Sequence, residues 1–139
     1  LFIFGIDKNK FRKVKNYYKK YNIIFLGRVK KEELKKAYKT SLGMICLGYD
    51  ETFCLNAIEA NACGLPVITF GKTALKDMIK NNYNGLIVKD YRSLSLKILE
   101  LLNKDQLIKK KYIDNSIRSS QKYHFNKIEK KWFNLFNNK

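Results

Sequence analysis

The stretch DETFCLNAIEANACGLPVITFG, residues 50–71, decides how the chain is read. Two glutamates, Glu51 and Glu59, stand in a run that is otherwise mostly apolar or small. An ionised carboxylate is costly to bury without a partner, so their place in what reads as core needs a reason. Within the stretch, CLNAIEANAC suits a helix closed by Gly64 and then Pro66. PVITF suits a strand, with the chain's single proline at its start, where proline is tolerated. The apolar run LGMICLG, residues 42–48, reads as the buried strand that leads in.

Outward from there the pattern alternates. LFIFG (residues 1–5) and NIIFLG (22–27) are apolar runs ending in glycine, as buried strands do. Between them Phe11, Val14, Tyr18 and Tyr21 recur at helical spacing, with lysines on the other face. Leu34, Ala37 and Tyr38 mark a short helix, and Leu75, Met78 and Ile79 another. Asn84-Gly85 reads as a turn before the short strand GLIV. Continuous apolar strands alternating with helices imply an α/β fold, a Rossmann-like parallel sheet with helices on both faces. After Val88 no strand signal remains. Leu94, Ile98, Leu101 and Leu102 form one helix face, and residues 105–122 a weaker, very basic helix. Phe125, Ile128, Trp132, Leu135 and Phe136 give a strongly amphipathic last helix, whose aromatic stripe is expected to serve packing rather than ligand binding.

A length of 139 residues suits a single domain. No apolar run approaches the roughly 20 residues that span a bilayer, and no signal peptide is visible. The chain opens with Leu1 inside a strand already under way, as a piece of a longer protein would. Lys and Arg number 29 against 12 Asp and Glu, a net charge of +17. Most of that charge is lysine scattered along helix faces, which reads as solvated surface. No nucleic-acid motif accompanies it, so nucleic acid is not an expected partner. The three cysteines form no C-x-x-C pair and His124 is the single histidine, so no metal site is expected. Free thiols suit a reducing cytoplasm.

In a doubly wound sheet, ligands bind beyond the carboxyl ends of the strands. Residues 48–52 form such a loop, with Glu51 just ahead of the helix and Glu59 one to two turns inside it. Eight residues apart on a helix differ by only about 80° in direction, so both carboxylates can face one cleft. Carboxylates suit sugar hydroxyls because each accepts two hydrogen bonds. The open N–H groups at the helix start, Phe53 to Asn56, suit a phosphate.

The residues around the two carboxylates carry a resemblance. ETFCLNAIEANACGLPVI resembles the glutamate-pair signature of the retaining glycosyltransferases of the group 1 family, with Glu51, Phe53, Leu55, Glu59, Ala60, Ala62, Cys63, Gly64, Pro66, Val67 and Ile68 in matching places. NIIFLGRVKKEELKKAY resembles the family's strand, glycine and helix ahead of the signature. LKDMIKNNYNGLIV resembles the helix, turn and strand that follow it, and YHFNKIEKKW the closing helix, which in the family often crosses back to the first domain. The likeness covers nearly all of the chain in order. It implies the C-terminal half of a two-domain B-type glycosyltransferase: residues 1–139 as the nucleotide-sugar-binding domain, entered part-way, with the N-terminal acceptor domain absent.

The resemblance also implies roles. Glu59 matches the residue that binds the ribose hydroxyls, and Glu51 the one that holds the donor sugar, the catalytic position. Thr52, Phe53, Cys54 and Leu55 line the donor, the last three through backbone N–H groups. Arg28 and Val29 follow the second strand, where the family contacts the nucleobase; Lys72 and Thr73 lie beyond a later strand, within reach of the same cleft. The implied reaction moves a sugar from a nucleotide-diphosphate donor to an acceptor hydroxyl with retention. It needs no metal and no cofactor, because an arginine and a lysine, upstream in the family, carry the phosphate charge. The implied partners are a nucleotide sugar and a glycan or lipid-linked acceptor, with peripheral contact to an anionic membrane; the expected location is cytoplasmic, the inner face of a membrane included. In place of family residues the sequence has Thr52 and Cys54 for glycines, Leu47-Gly48 for Pro-Ser and Asn61 for methionine. The alternative is a non-catalytic remnant of the same fold, acting as a basic membrane- or protein-binding module.

Overall fold

The computed structural model describes residues 1–4, 21–49 and 52–137. The chain forms two compact units, Leu1–Ala37 and Tyr38–Lys139. In the first, β1 (Phe2–Phe4) pairs in parallel with β2 (Ile24–Gly27), in the register Phe2 to Ile24 and Ile3 to Phe25. Helix α1 (Lys31–Thr40) follows, with Glu32 and Glu33 in its first turn, where carboxylates complement the helix dipole. The helix expected over Phe11, Val14 and Tyr18 lies outside the described residues.

The second unit holds β3 (Met44–Ile45), α2 (Leu55–Ala62), β4 (Val67–Thr69), α3 (Ala74–Met78), β5 (Gly85–Ile87), α4 (Tyr91–Asn103), α5 (Gln106–Ser120), a 3-10 turn at Gln121–Tyr123 and α6 (Phe125–Asn137). Its strands form a parallel sheet in the order β3-β4-β5. Parallel neighbours need crossovers, and α2 and α3 supply them. All of β4 is buried, as a central strand covered on both faces should be. Ile68, Phe70, Leu86 and Val88 project to one side and pack with Leu101 and Tyr112 from α4 and α5, flanked by Leu47, Leu94 and Ile98.

Helix starts follow local chemistry. The Asp90 carboxylate accepts from the Ser93 N–H at 2.7 Å while the Ser93 hydroxyl accepts from the Asp90 N–H at 3.0 Å, a reciprocal cap on α4. The Ser93 N–H, and then the Ser93 hydroxyl donating to the carboxylate at 2.8 Å, hold the Asp90 carboxyl below its ordinary range. Asp105 caps α5 by accepting from the Ile108 N–H at 2.8 Å. Helix α2 ends as its sequence predicts. Gly64 sits at φ +83°, the Leu65 N–H reaches the Ala60 carbonyl at 2.9 Å and the Gly64 N–H the Asn61 carbonyl at 2.9 Å, the paired bonds of a Schellman closure. Gly85 is required for a different reason: a Cβ there would stand 2.1 Å from the Val67 carbonyl oxygen.

A polar knot ties these parts together. Asn84 is fully buried. Its amide donates to the Asn61 side-chain oxygen at 2.7 Å and to the Met78 carbonyl at 3.0 Å, and its oxygen accepts from the Lys80 N–H at 2.7 Å. Asn61, itself buried, donates to the Leu65 carbonyl at 2.9 Å and the Asn84 carbonyl at 3.3 Å. The asparagine that replaces an expected methionine thus has its full set of partners. Among the described residues no buried side-chain N or O lacks one.

Three expectations are corrected. The runs expected to be buried on both faces as β1, β2 and β3 are half-exposed: Phe2, Ile24, Leu26 and Ile45 all present surface to solvent. Among the described residues β3 is the first strand of the order β3-β4-β5 and pairs with β4. On α4 the packed face is Leu94, Ile98 and Leu101, while Leu102 falls with Leu96 and Leu99 on the exposed side, because a residue directly after Leu101 turns about 100° away from it. The aromatic stripe of α6 does not pack into the second unit. Phe125, Trp132, Leu135 and Phe136 are all exposed, and Trp132 stacks on Phe136 at 5.7 Å within its own helix.

Replacing Asn84 by alanine strands the Asn61 side-chain oxygen and the Met78 carbonyl in a buried interior. That change is expected to lower unfolding stability by about 3 kcal/mol, as buried unsatisfied groups do, measured by urea denaturation at unchanged far-UV signal.

Candidate donor-binding site

The carboxyl edge of the β3-β4-β5 sheet gathers three loops. The first leaves β3 and enters α2. The Met44 N–H donates to the Pro66 carbonyl and the Cys46 N–H to the Ile68 carbonyl, both at 2.9 Å, so the ladder carries the chain out to Cys46. Residues 47–54 then lead to α2, with Cys54 as its N-cap. The Cys54 side chain makes no cap hydrogen bond. The N–H groups of the first helical turn have no intrahelical acceptor, so those of Leu55 and Asn56 remain open to a ligand.

The helix faces are sharply divided. Ala57, Ala60 and Asn61 are buried, against β4 and α5. Thr52, Phe53, Leu55, Asn56 and Glu59 are exposed. Glu59 is therefore not a core residue, although the run around it is mostly apolar or small. Its small neighbours Ala57 and Ala60 take the core side, and the spacing turns Glu59 to solvent. Among the described residues its carboxylate accepts no hydrogen bond and joins no ion pair. Phe53 is 52% exposed and meets Tyr123 edge-on at 6.0 Å. Cys54 is 3% exposed, with its Sγ 3.4 Å from that of Cys46.

Thr52, Phe53, Cys54, Leu55 and Glu59 thus lie in one continuous loop-and-helix segment. Glu51 lies outside the described residues. Arg28, exposed, and Val29, half-buried, follow β2 in the first unit. Tyr38, at the foot of the second unit, is 8% exposed. Its hydroxyl is pushed up to about 12, first by burial and then by the negative charge of Glu59 and the neighbouring cysteines. This phenol stays neutral beneath the segment, and nothing in the sequence pattern marks it as more than a helix-face aromatic.

A second feature escaped the sequence reading. Tyr49, Phe70 and Tyr91 form a ring ladder along the same sheet edge, with centroids 5.5 Å and 5.4 Å apart. The Lys72 ammonium rides 4.5 Å from the Tyr49 ring centroid, a cation–π contact. Each ring follows closely on a strand end, the one signal that could have shown it. Beside Lys72, Thr73 adopts φ 52°, ψ −136°, a backbone that a β-branched residue adopts only under strain.

Residues 1–119 match the family model described as Glycosyl transferases group 1. The chain belongs to that family. Among solved structures this group 1 glycosyl transferase is similar to a sucrose-phosphate synthase from Thermosynechococcus elongatus, at 25% identity and TM-score 0.81, covering 99% of this chain and 38% of that one. It is similar to S. aureus TarM, solved with fondaparinux, alpha-GlcNAc-glycerol and UDP, at 25% identity and TM-score 0.78, covering 98% of this chain and 28% of that one. It is also similar to the C-terminal domain of a group 1 family glycosyl transferase, LpcC, from Francisella tularensis, at 27% identity and TM-score 0.64, covering 85% of this chain and 62% of that one. No curated protein matches the sequence. These relatives have the B-type glycosyltransferase fold, and the chain corresponds to part of it. Among the described residues no helix is long and apolar enough to cross a membrane.

Two outcomes are expected here. Thr73→Gly relieves the strained backbone and is expected to stabilise the protein by about 1 kcal/mol in chemical denaturation. Tyr38 titrates higher folded than unfolded, from an ordinary 10.0 to about 12. A raised value contributes stability that is complete below the unfolded value and is lost as pH climbs through the folded one. Between pH 10 and about 12 the wild type is therefore expected to lose stability faster than Tyr38→Phe, followed by denaturation midpoints in that window.

Proposed function

We propose that this chain is the donor-binding, C-terminal part of a retaining glycosyltransferase, moving a sugar from a nucleotide-diphosphate donor to an acceptor hydroxyl. The observation that carries the reading is the helix α2: its first turn is open at the carboxyl edge of the sheet, and Glu59 stands on its exposed face with no hydrogen-bond partner among the described residues. A diphosphate at that turn meets N–H donors and the positive end of a helix dipole. A ribose one turn further meets a carboxylate that accepts two hydroxyl hydrogen bonds. Glu51, ahead of the helix, would hold the hydroxyls of the transferred sugar beside the reacting carbon. Thr52, Phe53, Cys54 and Leu55 line the space between, and the nucleobase role of Arg28 and Val29 rests on the family resemblance alone.

In this reading the protein works by position and charge. The bond between the anomeric carbon and the diphosphate breaks, with the electron pair leaving on the phosphate oxygen. The open N–H groups stabilise that oxygen's growing charge, and the acceptor hydroxyl is held on the face the leaving group vacates. The chain spans 38% of the sucrose-phosphate synthase and 28% of TarM, which fits a partner domain that binds the acceptor, a glycan or a lipid-linked sugar. The C-terminal domain from Francisella supports the same division. The basic surface, net charge +17, would favour peripheral contact where the acceptor sits on an anionic membrane.

Thermal unfolding with millimolar UDP and GDP tests the reading. A nucleotide at ten times its dissociation constant adds about 1.4 kcal/mol, or roughly 3–5 °C for a domain this size. The expected result is a shift with one nucleotide that Glu59→Ala removes while leaving the unliganded midpoint unchanged. No shift with either nucleotide in the folded full-length protein would overturn the proposal and leave the non-catalytic reading.

A further inference from the structure

The two thiols at the entrance to α2 are the least expected chemistry on the sheet edge. Cys46 continues the β3 ladder, its N–H donating to the Ile68 carbonyl at 2.9 Å. Cys54 begins α2, its carbonyl accepting from the Ala57 N–H at 3.1 Å. Both backbones are therefore held by regular structure, one by the sheet and one by the helix. Their side chains converge, with the sulfurs 3.4 Å apart, and the cysteines are not joined in a disulfide. Closing to a disulfide needs a sulfur separation of about 2.05 Å, an approach of little more than an ångström. Cys46 is half-buried and Cys54 buried, so a soluble oxidant reaches Cys46 first. Cys63 lies at the far end of α2.

We infer that Cys46 and Cys54 form a reversible thiol–disulfide pair that, when oxidised by a low-molecular-weight disulfide, cross-links the β3 edge to the start of α2 and restrains the loop between them. The Cys46 thiolate attacks one sulfur of the oxidant and expels a thiolate, leaving a mixed disulfide. The Cys54 thiolate then attacks the Cys46 sulfur and expels the second half. Two protein thiols give up two protons and two electrons, and one molecule of oxidant disulfide becomes two thiols. Cys54 adjoins the N–H groups proposed to meet the diphosphate. Misplacing such groups by an ångström is costly, so oxidation is expected to weaken nucleotide binding. That consequence rests on the donor-site reading; formation of the bond does not.

The test treats the full-length protein with oxidised glutathione, traps remaining thiols by alkylation and maps the cysteine peptides. The expected result is a Cys46–Cys54 cross-link, reversed by dithiothreitol, formed equally in Cys63→Ser and absent in Cys54→Gly. Alkylation of both Cys46 and Cys54 after oxidation, or a cross-link that uses Cys63 instead, overturns the pair. UDP titrations run alongside. Where reduced protein binds UDP, the oxidised form is expected to bind about tenfold more weakly, with recovery on reduction and no redox response in Cys46→Ala. Equal UDP affinity in a protein mapped as cross-linked overturns the control of binding. Failure of the reduced protein to bind UDP or GDP counts against the donor-site reading, while the peptide map still decides the thiol pair.

Discussion

The side-chain amide of Asn84 is the constraint around which the second unit is built. It sits in a dry interior where a lost hydrogen bond is expensive, and it reaches Asn61 on α2, Met78 at the end of α3 and the Lys80 N–H ahead of β5. The hydroxyl of Ser116 on α5 approaches the Asn84 carbonyl as well, at 3.5 Å. Apolar packing alone lets a helix slide or roll by fractions of a turn. Hydrogen bonds to Asn61 do not, because their geometry fails within tens of degrees. The C-terminal end of α2 is thereby fixed in angle as well as position, and the Schellman closure at Gly64 fixes where it stops. What is fixed at one end of a two-turn helix is fixed at the other, so the amide knot also aims the open first turn and Glu59.

Much of this was legible in the sequence, for reasons that can be named. The sequence reading rested on local patterns with strong physical causes: Gly64 and Pro66 ending a helix, continuous apolar runs for parallel strands, Asn84-Gly85 as a turn ahead of a strand. Those signals survive because they depend on neighbours in the chain. The match of residues 1–119 to the group 1 family agrees with them. Burial was less legible. LGMICLG and NIIFLG have the composition of central strands, but composition does not say which strand of a sheet lies at its edge.

The candidate site divides in the same way. The stop signals Gly64 and Pro66 marked the helix that carries Glu59, and the exposure of Leu55, Asn56 and Glu59 on one side of it follows from helical geometry. Helical direction allowed Glu59 to face a cleft, and the contact of Ala57 and Ala60 with β4 and α5 shows that the core side is theirs. The contacts that sequence could not supply all join distant positions: Asn61 with Asn84, Tyr49 with Phe70 and Tyr91, and Cys46 with Cys54 across a loop. Each depends on which strands are neighbours, and no local period encodes that. The aromatic stripe of α6 is the converse case, a clear period whose packing partner is not among the second unit's described residues.

The divided faces of α2 have a consequence for how such a protein changes over time. The residues that hold the helix in place, Ala57, Ala60 and Asn61, are buried, and the residues proposed to meet the donor, Thr52, Phe53, Leu55 and Glu59, are exposed. Folding and recognition therefore draw on different side chains of one short segment. Exposed substitutions usually alter stability by less than about 0.5 kcal/mol. Mutation can explore this ligand-facing side with little risk to the fold, whereas a change at Cys54, buried beside the same helix start, reaches the interior.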